Sequence, residues 1–217
     1  MFVWFIWTQR NQLRTQQSCC STTQLAQFAK DGFNEFKAIK PAALPRLRQQ
    51  RTSWSPPAQN VFKINYDGAL CSNTNKSDIG VVIRNGDGLV IASLAQPLNQ
   101  AFKAVEIEAL AASRALELAA DTGLDNVIVE GDSLVVTHAL KSKVVGLAAY
   151  GLLIRDAFSL AGNFSEVSYS HIKREGNKVA HGLAKLAVNL AKCVIWTEEV
   201  PPTIYHLVQA ILAPLVQ

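Results

Sequence analysis

The stretch VFKINYDGA, residues 61–69, decides the fold and carries the first candidate for a functional residue. Apolar and polar side chains alternate from Phe62 to Asp67, and this period of two is typical of a half-buried strand. Asp67 ends the strand on its polar face, and Gly68 lets the backbone bend away. A carboxylate there is well placed to hold a divalent cation. Asp-Gly is also a common turn pair, so the stretch alone leaves both interpretations open.

The composition is that of an ordinary globular protein. The chain has 217 residues, of which 49% are hydrophobic, and this suffices for one domain with extensions. The apolar run at residues 1–7 is far shorter than the ~20 residues that span a bilayer. No signal peptide or membrane segment is predicted. The four cysteines show neither a zinc pattern nor a disulfide framework, so an intracellular setting, nucleus or cytoplasm, is expected.

Positive charge is concentrated at the start of the chain. Residues 1–60 hold eight basic and two acidic side chains, whereas residues 61–217 hold thirteen basic and fifteen acidic ones. Prolines and arginines between residues 41 and 60 predict a linker. A basic arm favours anionic partners such as nucleic acid, although such arms are often simply solvated. We predict a basic helical leader with a Pro/Arg-rich linker over residues 1–60, a folded domain over 61–193, and a C-terminal tail over 194–217.

Hydrophobic periodicity predicts an α/β domain with a mixed sheet. Residues 79–84 and 89–94 read as two further strands, and the Asn-Gly-Asp-Gly sequence between them is a strong hairpin signal. A long helix over residues 102–122 leads to the short apolar strand at 127–129. Two helices, a strand and a last helix follow. The expected architecture is a five-stranded sheet, three antiparallel strands then two parallel ones, flanked by helices.

Three acidic side chains converge in this topology. Asp67 ends the first strand and Asp132 follows the fourth, and binding sites of α/β sheets form at such strand ends. Glu108 lies on the small-residue stripe of the long helix, where an unpaired acid facing the sheet is costly. Three carboxylates repel one another unless a cation lies among them, and oxygen clusters select hard ions such as Mg²⁺. Asp132 also suits a helix N-cap, and that role does not exclude metal binding.

Five short motifs in order point to a known family. They are residues 63–69 (KINYDGA), 80–84 (GVVIR), 108–111 (EALA), 129–133 (VEGDS) and 171–181 (HIKREGNKVAH). Over about residues 61–190 the chain resembles a type 1 ribonuclease H domain, of the kind found in plant proteins related to non-LTR retrotransposon reverse transcriptases. The segments 4–11 and 54–57 look like the part that joins such a domain to an upstream reverse transcriptase.

The resemblance implies a ribonuclease H-like fold and a metal-dependent endonuclease. Such an enzyme hydrolyses the RNA strand of RNA–DNA hybrids with two Mg²⁺ ions, and Mn²⁺ is the alternative metal. Asp67, Glu108 and Asp132 match the first three acids of the family's set and would be catalytic and metal-binding. His181 takes the fourth position and is counted as catalytic, with reduced activity expected. Nucleic-acid contacts are implied for Asn65, Gly68, Ser133, Lys173, Arg174 and Asn177.

Alternatives to an active nuclease remain open. The same fold could bind hybrid or RNA with little catalysis, or it could serve an interaction role with neither activity. His181 could be an exposed helical histidine without a role. The expected partner is RNA–DNA hybrid or RNA, with no membrane and a monomeric chain. No basic substrate-binding protrusion is visible after the Asp132 helix, so phosphate contacts are also expected from Arg46, Arg48 and Arg51.

Overall fold

The computed structural model describes residues 53–71, 75–143 and 150–212, together with Ser21, Thr23, Gln24 and Lys30. The chain divides into two units, residues 1–50 and 51–217. The predicted leader helix lies almost wholly outside the described residues, and the basic arm with Arg46, Arg48 and Arg51 lies entirely outside them. Within the described part, no helix is both long and apolar enough to cross a membrane.

A mixed sheet of six strands, ordered β5-β4-β1-β2-β3-β6, forms the centre of the second unit. The strands are β1 (Phe62–Cys71), β2 (Lys76–Arg84), β3 (Val90–Leu98), β4 (Asn126–Gly131), β5 (Glu166–His171) and β6 (Val194–Thr197). The first three are antiparallel, β4 is parallel to β1, and β5 is parallel to β4. The predicted mixed α/β architecture is confirmed.

Helices cover both faces of this sheet. The described helices are α1 (Ala104–Asp121), α2 (Leu134–Ser142), α3 (Tyr150–Ala161), α4 (Lys178–Ala187) and α5 (Tyr205–Leu212). One core lies between the sheet and α1, α2 and α3, and includes Ile64, Tyr66 and Val81. The second core lies under α4 and α5 and includes Val82. Val81 and Val82 are adjacent in sequence, so the two cores occupy opposite faces of the sheet.

The prediction of five strands is wrong because the C-terminal segment supplies a sixth. β6 pairs antiparallel with β3, with Ser93 opposite Trp196. This pairing covers the edge that β3 would otherwise leave open. A 3₁₀ turn at Pro202–Ile204 and α5 follow, and Ile204 and Val208 are buried in the second core. These parts of residues 194–217 therefore belong to the folded unit.

The polar face of β1 is buried, contrary to the half-buried strand that its alternation predicted. Lys63 is 8% exposed, and Asn65 and Asp67 are 0% exposed. Two neighbours cover this face: α4 packs on β1, and the Trp54 ring lies 5.5 Å from Lys63 Nζ. A sheet with layers on both sides leaves no solvent face for its central strand.

Gly80 of β2 determines how closely α4 approaches the sheet. A β-carbon at this position would collide with the backbone oxygen of Ala180 and the backbone nitrogen of Ala184. Gly80 is also the cross-strand partner of Asp67. The close approach therefore brings α4, and with it His181, to the polar face beside Asp67.

We expect Gly80→Ala to lower the free energy of unfolding by about 1–3 kcal/mol, the usual cost of forcing atoms into a packed site. The obstructing atoms belong to a helix backbone and cannot rotate away. Chemical denaturation measures the change. Gly162→Ala is the control, because its β-carbon would come no nearer than 3.3 Å to the oxygen of Ser159. An equal loss in both variants would contradict this account of the packing.

Candidate active site

The three acids come from elements that meet where β1 and β4 separate. The parallel pairing of these strands ends at Asn65 opposite Glu130, so Asp67 lies just beyond it, while β1 itself continues to Cys71. Asp132 directly follows β4. Glu108 comes from α1, which approaches β1 closely because residue 68 is glycine: a β-carbon there would lie 2.8 Å from the carbonyl carbon of Ile107.

The carboxylates of Asp67, Glu108 and Asp132 form one cluster. Each offers an oxygen, and these oxygens lie within 4.8 Å of one another. Asp67 is fully buried, and the other two are partly buried. The helix that follows Asp132 is capped by Ser133, whose Oγ accepts a hydrogen bond from the backbone N–H of Val136 at 3.4 Å. The carboxylate of Asp132 therefore does not serve as the N-cap of this helix.

The electrostatics of the cluster suit a cation. Burial raises the pKa of Glu108 to about 9, and the charges of Asp67 and Asp132 add to this rise. Burial also raises the pKa of Asp67, and its hydrogen bond with His181 opposes that rise. Among the described residues, nothing donates a hydrogen bond to the buried oxygens Asp67 Oδ1 and Glu108 Oε2. Three crowded carboxylates with unpaired buried oxygens fit a hard divalent ion such as Mg²⁺ or Mn²⁺.

His181 reaches this cluster from α4. Its Nδ1 lies 2.8 Å from Asp67 Oδ2, so the alternative of a freely exposed helical histidine does not hold. Arg174, in the turn before α4, places Nη1 3.2 Å from Asp132 Oδ2. Its Nη2 lies 2.9 Å and 3.1 Å from the two ring nitrogens of His181. Because an ionised Asp67 only accepts, Nδ1–H donates to it and Nε2 accepts from Arg174.

Two of the residues implied as nucleic-acid contacts are buried. Asn65 is 0% exposed, donates to Glu130 Oε2 at 2.9 Å and accepts from Arg84 Nη2 at 2.7 Å. Asn177 is 1% exposed and donates to the backbone oxygen of Tyr66 at 2.8 Å, which ties the start of α4 to β1. Direct contact with nucleic acid is therefore not expected from these two side chains.

The other four residues implied as nucleic-acid contacts keep some exposed surface. Gly68, Ser133 and Lys173 are partly exposed, and the Arg174 side chain is 58% exposed. Gly68 directly follows Asp67, and Ser133 directly follows Asp132. Lys173 and Arg174 lie in the turn before α4. A ligand that covers the cluster would meet the exposed surface of these residues.

His171 is a site neighbour that the sequence analysis did not single out. It ends β5 opposite Gly131 of β4, and its Nε2 lies 3.2 Å from the backbone oxygen of Asp132. Its place at the end of a strand parallel to β4 was the available signal, because the carboxyl ends of parallel strands share one edge of the sheet.

Sequence comparison finds relatives over this same part of the chain. Residues 65–187, more than half of the chain, match the family described as reverse transcriptase-like. A ribonuclease HI from Halobacterium salinarum is 32% identical over 129 residues, which are 57% of this chain and 62% of that relative. The chain thus spans less than two thirds of the length of this curated relative.

Solved structures with similar folds include ribonucleases H. The ribonuclease H1 of Halobacterium salinarum has a TM-score of 0.56 and 28% identity, covering 59% of this chain and 98% of its own. The N-terminal RNase H domain of a Mycobacterium tuberculosis protein has a TM-score of 0.54 and 25% identity, covering 59% and 94%. LC11-RNase H1, solved with an RNA/DNA hybrid, is 21% identical at a TM-score of 0.54, covering 59% and 96%, and shows the fold alone. The chain therefore belongs to the reverse transcriptase-like family, and its folded part has the ribonuclease H fold.

Proposed function

We propose that this protein is a divalent-metal-dependent endonuclease that hydrolyses the RNA strand of RNA–DNA hybrids. The observation that carries the proposal is the cluster of Asp67, Glu108 and Asp132, with two buried carboxylate oxygens left without hydrogen-bond donors in the described part of the chain. The ribonuclease HI relative supports the choice of substrate.

The three acids would hold two Mg²⁺ ions, with Mn²⁺ as an alternative. When bound, such ions activate the attacking water and stabilise charge on the phosphate during in-line displacement. The chain's own side chains orient the ligands: His181 engages Oδ2 of Asp67 and leaves the buried Oδ1 without a hydrogen-bond partner among the described residues. Because Asp67 is buried on the central strand and Glu108 is carried by a packed helix, the ligands are held in place before substrate arrives.

Lys173 and Arg174 are the proposed phosphate contacts, with Gly68 and Ser133 beside them. Binding that depends on such contacts should weaken steeply as salt rises. The basic arm around Arg46, Arg48 and Arg51 remains a predicted second contact. A monomer acting in the nucleus or cytoplasm fits this proposal. Descent from a plant retrotransposon is also proposed, supported by the order of the five motifs and by residues 54–57.

Cleavage of a hybrid with a labelled RNA strand tests the proposal. We expect the RNA strand to be cut with Mg²⁺ or Mn²⁺ and to stay intact with EDTA. Single-stranded RNA and duplex DNA of the same sequence are the substrate controls. Failure to cut hybrid with either metal, by protein shown to be folded, would overturn the proposal.

A binding module with little catalysis is the second candidate. One observation favours it: a histidine occupies the fourth position and contacts Asp67, while Arg174 already pairs with Asp132. Titration of uncut hybrid in EDTA, followed by fluorescence anisotropy, distinguishes the candidates. Tight binding without cleavage in either metal supports the module, and cleavage in either metal excludes it.

We expect His181→Asp to raise Mg²⁺-supported cleavage by about 10-fold, the lower end of effects at residues that orient metal ligands. Imidazole is a poor ligand for Mg²⁺ and a fair one for Mn²⁺, so the ratio of Mn²⁺- to Mg²⁺-supported rates should fall. The rates of both variants in each metal are the measurement. His206→Asp, the same change at an exposed position of α5, is the control. If His181→Asp leaves both rates unchanged, His181 is not part of the site.

A further inference from the structure

Arg174 links two of the three acids of the cluster. One arm of its guanidinium pairs with Asp132 Oδ2 at 3.2 Å. The other arm donates to His181, whose Nδ1 in turn donates to Asp67 Oδ2 at 2.8 Å. A continuous chain of contacts thus runs from Asp132 through Arg174 and His181 to Asp67. It brings a permanent positive charge into a group of carboxylates, because arginine does not lose its proton in proteins.

Four of the six carboxylate oxygens of the cluster fall into two sets. Asp132 Oδ2 and Asp67 Oδ2 are already engaged by cationic or hydrogen-bonding partners. Asp67 Oδ1 and Glu108 Oε2 are buried and, among the described residues, have no hydrogen-bond partner. The two buried oxygens without a partner thus belong to Asp67 and Glu108, whereas Asp132 has one of its two oxygens paired with the guanidinium.

We infer that Arg174 is a built-in counter-ion that limits the free protein to one divalent cation, held on the side of Asp67 and Glu108, and keeps a second cation off Asp132. The inference rests on the proposed function in one respect, namely that the cluster takes divalent cations. Its physical basis is repulsion: a second cation on Asp132 would lie beside a fixed positive charge and would compete for the oxygen that Arg174 engages.

The contact between Arg174 and Asp132 can be broken by a better anion. The Arg174 side chain is 58% exposed, whereas that of Asp132 is 11% exposed, so an incoming anion can reach the guanidinium from solvent. A phosphate offers charge and two-pronged hydrogen bonding to the same guanidinium. Hydrolysis with two ions then requires Arg174 to move from Asp132 to the substrate, so the side of Asp132 opens when the hybrid is bound.

Counting Mn²⁺ on the free, full-length protein tests the inference without any cleavage. The probe is MnCl₂, and the free ion is followed by its electron paramagnetic resonance signal. We expect one bound ion for the native protein. For Arg174→Ala we expect two, with the second bound at least 10-fold more tightly than any second ion of the native protein. Arg174→Lys should fall between them, because lysine keeps the charge without the two-armed contact.

Two further variants serve as controls, one for the loss of a positive charge elsewhere and one for a folding defect of the alanine variant. Arg155→Ala removes the same charge from an exposed position on α3 and should bind one ion, as the native protein does. Arg174→Gln removes the charge but keeps most of the side chain's length, and it replaces the alanine variant if that variant fails to fold. Circular dichroism and thermal unfolding establish the folded state of each variant.

Three outcomes would overturn the inference: two equivalent ions on the native protein, no bound ion on it, or unchanged stoichiometry and affinity after the charge of Arg174 is removed. The nuclease proposal fails separately. If the native protein binds one ion and Arg174→Ala binds two, yet neither cuts hybrid in any metal, the counter-ion role stands and the nuclease function falls.

Discussion

Asp67→Asn is expected to reduce hybrid cleavage by about 10²–10³-fold or more, as is usual when one preorganised electrostatic contact to the reacting groups is removed. The amide keeps an oxygen that can accept the hydrogen bond from His181. It loses the negative charge that a divalent cation needs at the centre of the cluster. The variant should therefore keep the fold and lose the chemistry.

The same change should not destabilise the metal-free protein. Asp67 is fully buried, and removing its charge relieves both the cost of burial and the repulsion with Glu108 and Asp132. The pKa of Glu108, which is raised to about 9 by burial first and by Asp67 second, should fall part of the way toward its ordinary value. Added MgCl₂ should raise the Tm of the native protein and leave that of the variant nearly unchanged, because only the native protein binds the ion well.

Asp78→Asn provides the matched control. Asp78 is a buried aspartate of β2, 3% exposed, and burial raises its pKa also. It lies outside the carboxylate cluster, so cleavage should continue at the native rate. Rates of hybrid cleavage and Tm values with and without MgCl₂ are the measurements. Full activity in Asp67→Asn, or equal losses in the two variants, would remove Asp67 from the site.

The acids could be predicted from the sequence because each carries a local signal. Asp67 closes a clearly alternating run and is followed by Gly68, and Asp132 follows a short apolar strand. Glu108 interrupts a stripe of small residues on a long helix. Arg174 carried no such signal for its contact with Asp132, 42 residues away in the sequence, because this contact depends on how α4 lies over Gly80.

The fold could be predicted where the hydrophobic pattern of each segment agrees with its place in the sheet. It was less predictable where segments distant in sequence complete the sheet and its cover. β6 has four residues and pairs with a strand about a hundred residues earlier, so no local pattern marks it as part of the sheet. Trp54 precedes two prolines, and that composition favours a linker. In the structure Trp54 is 3% exposed. The polar alternation of β1 predicted a face open to solvent, but Trp54 and α4 cover that face.

Trp54→Ala is expected to lower the free energy of unfolding by about 3–5 kcal/mol, the range for truncating a buried large aromatic side chain. The Trp54 ring lies 3.6 Å from the guanidinium carbon of Arg84, and Arg84 is 1% exposed. Burial lowers the pKa of Arg84 to about 9, which is the sign of a charge in an unfavourable medium. The indole supplies a face that attracts this cation as well as covering it.

The position of Trp54 also bears on where the domain begins. Lys63 Nζ donates to the backbone oxygen of Ser55 at 2.7 Å, so the segment is bonded to β1 in addition to being packed on it. We propose that the folded domain begins ahead of Trp54, before the boundary at residue 61. A chain that starts at Val61 should then show a loss of stability at least as large as that of Trp54→Ala.

A double-mutant cycle separates the cation contact from ordinary packing. Arg84→Met replaces the buried charge with an apolar side chain of similar length. In that background Trp54→Ala should cost about 1–2 kcal/mol less than in the native protein, because the cation–π attraction is no longer there to lose. Trp54→Phe, which keeps an aromatic face over Arg84, should cost less than Trp54→Ala. The cycle compares the native protein, Trp54→Ala, Arg84→Met and the double variant, and urea denaturation of these four gives the coupling energy. A coupling energy near zero would mean that Trp54 stabilises the domain only by filling space over β1.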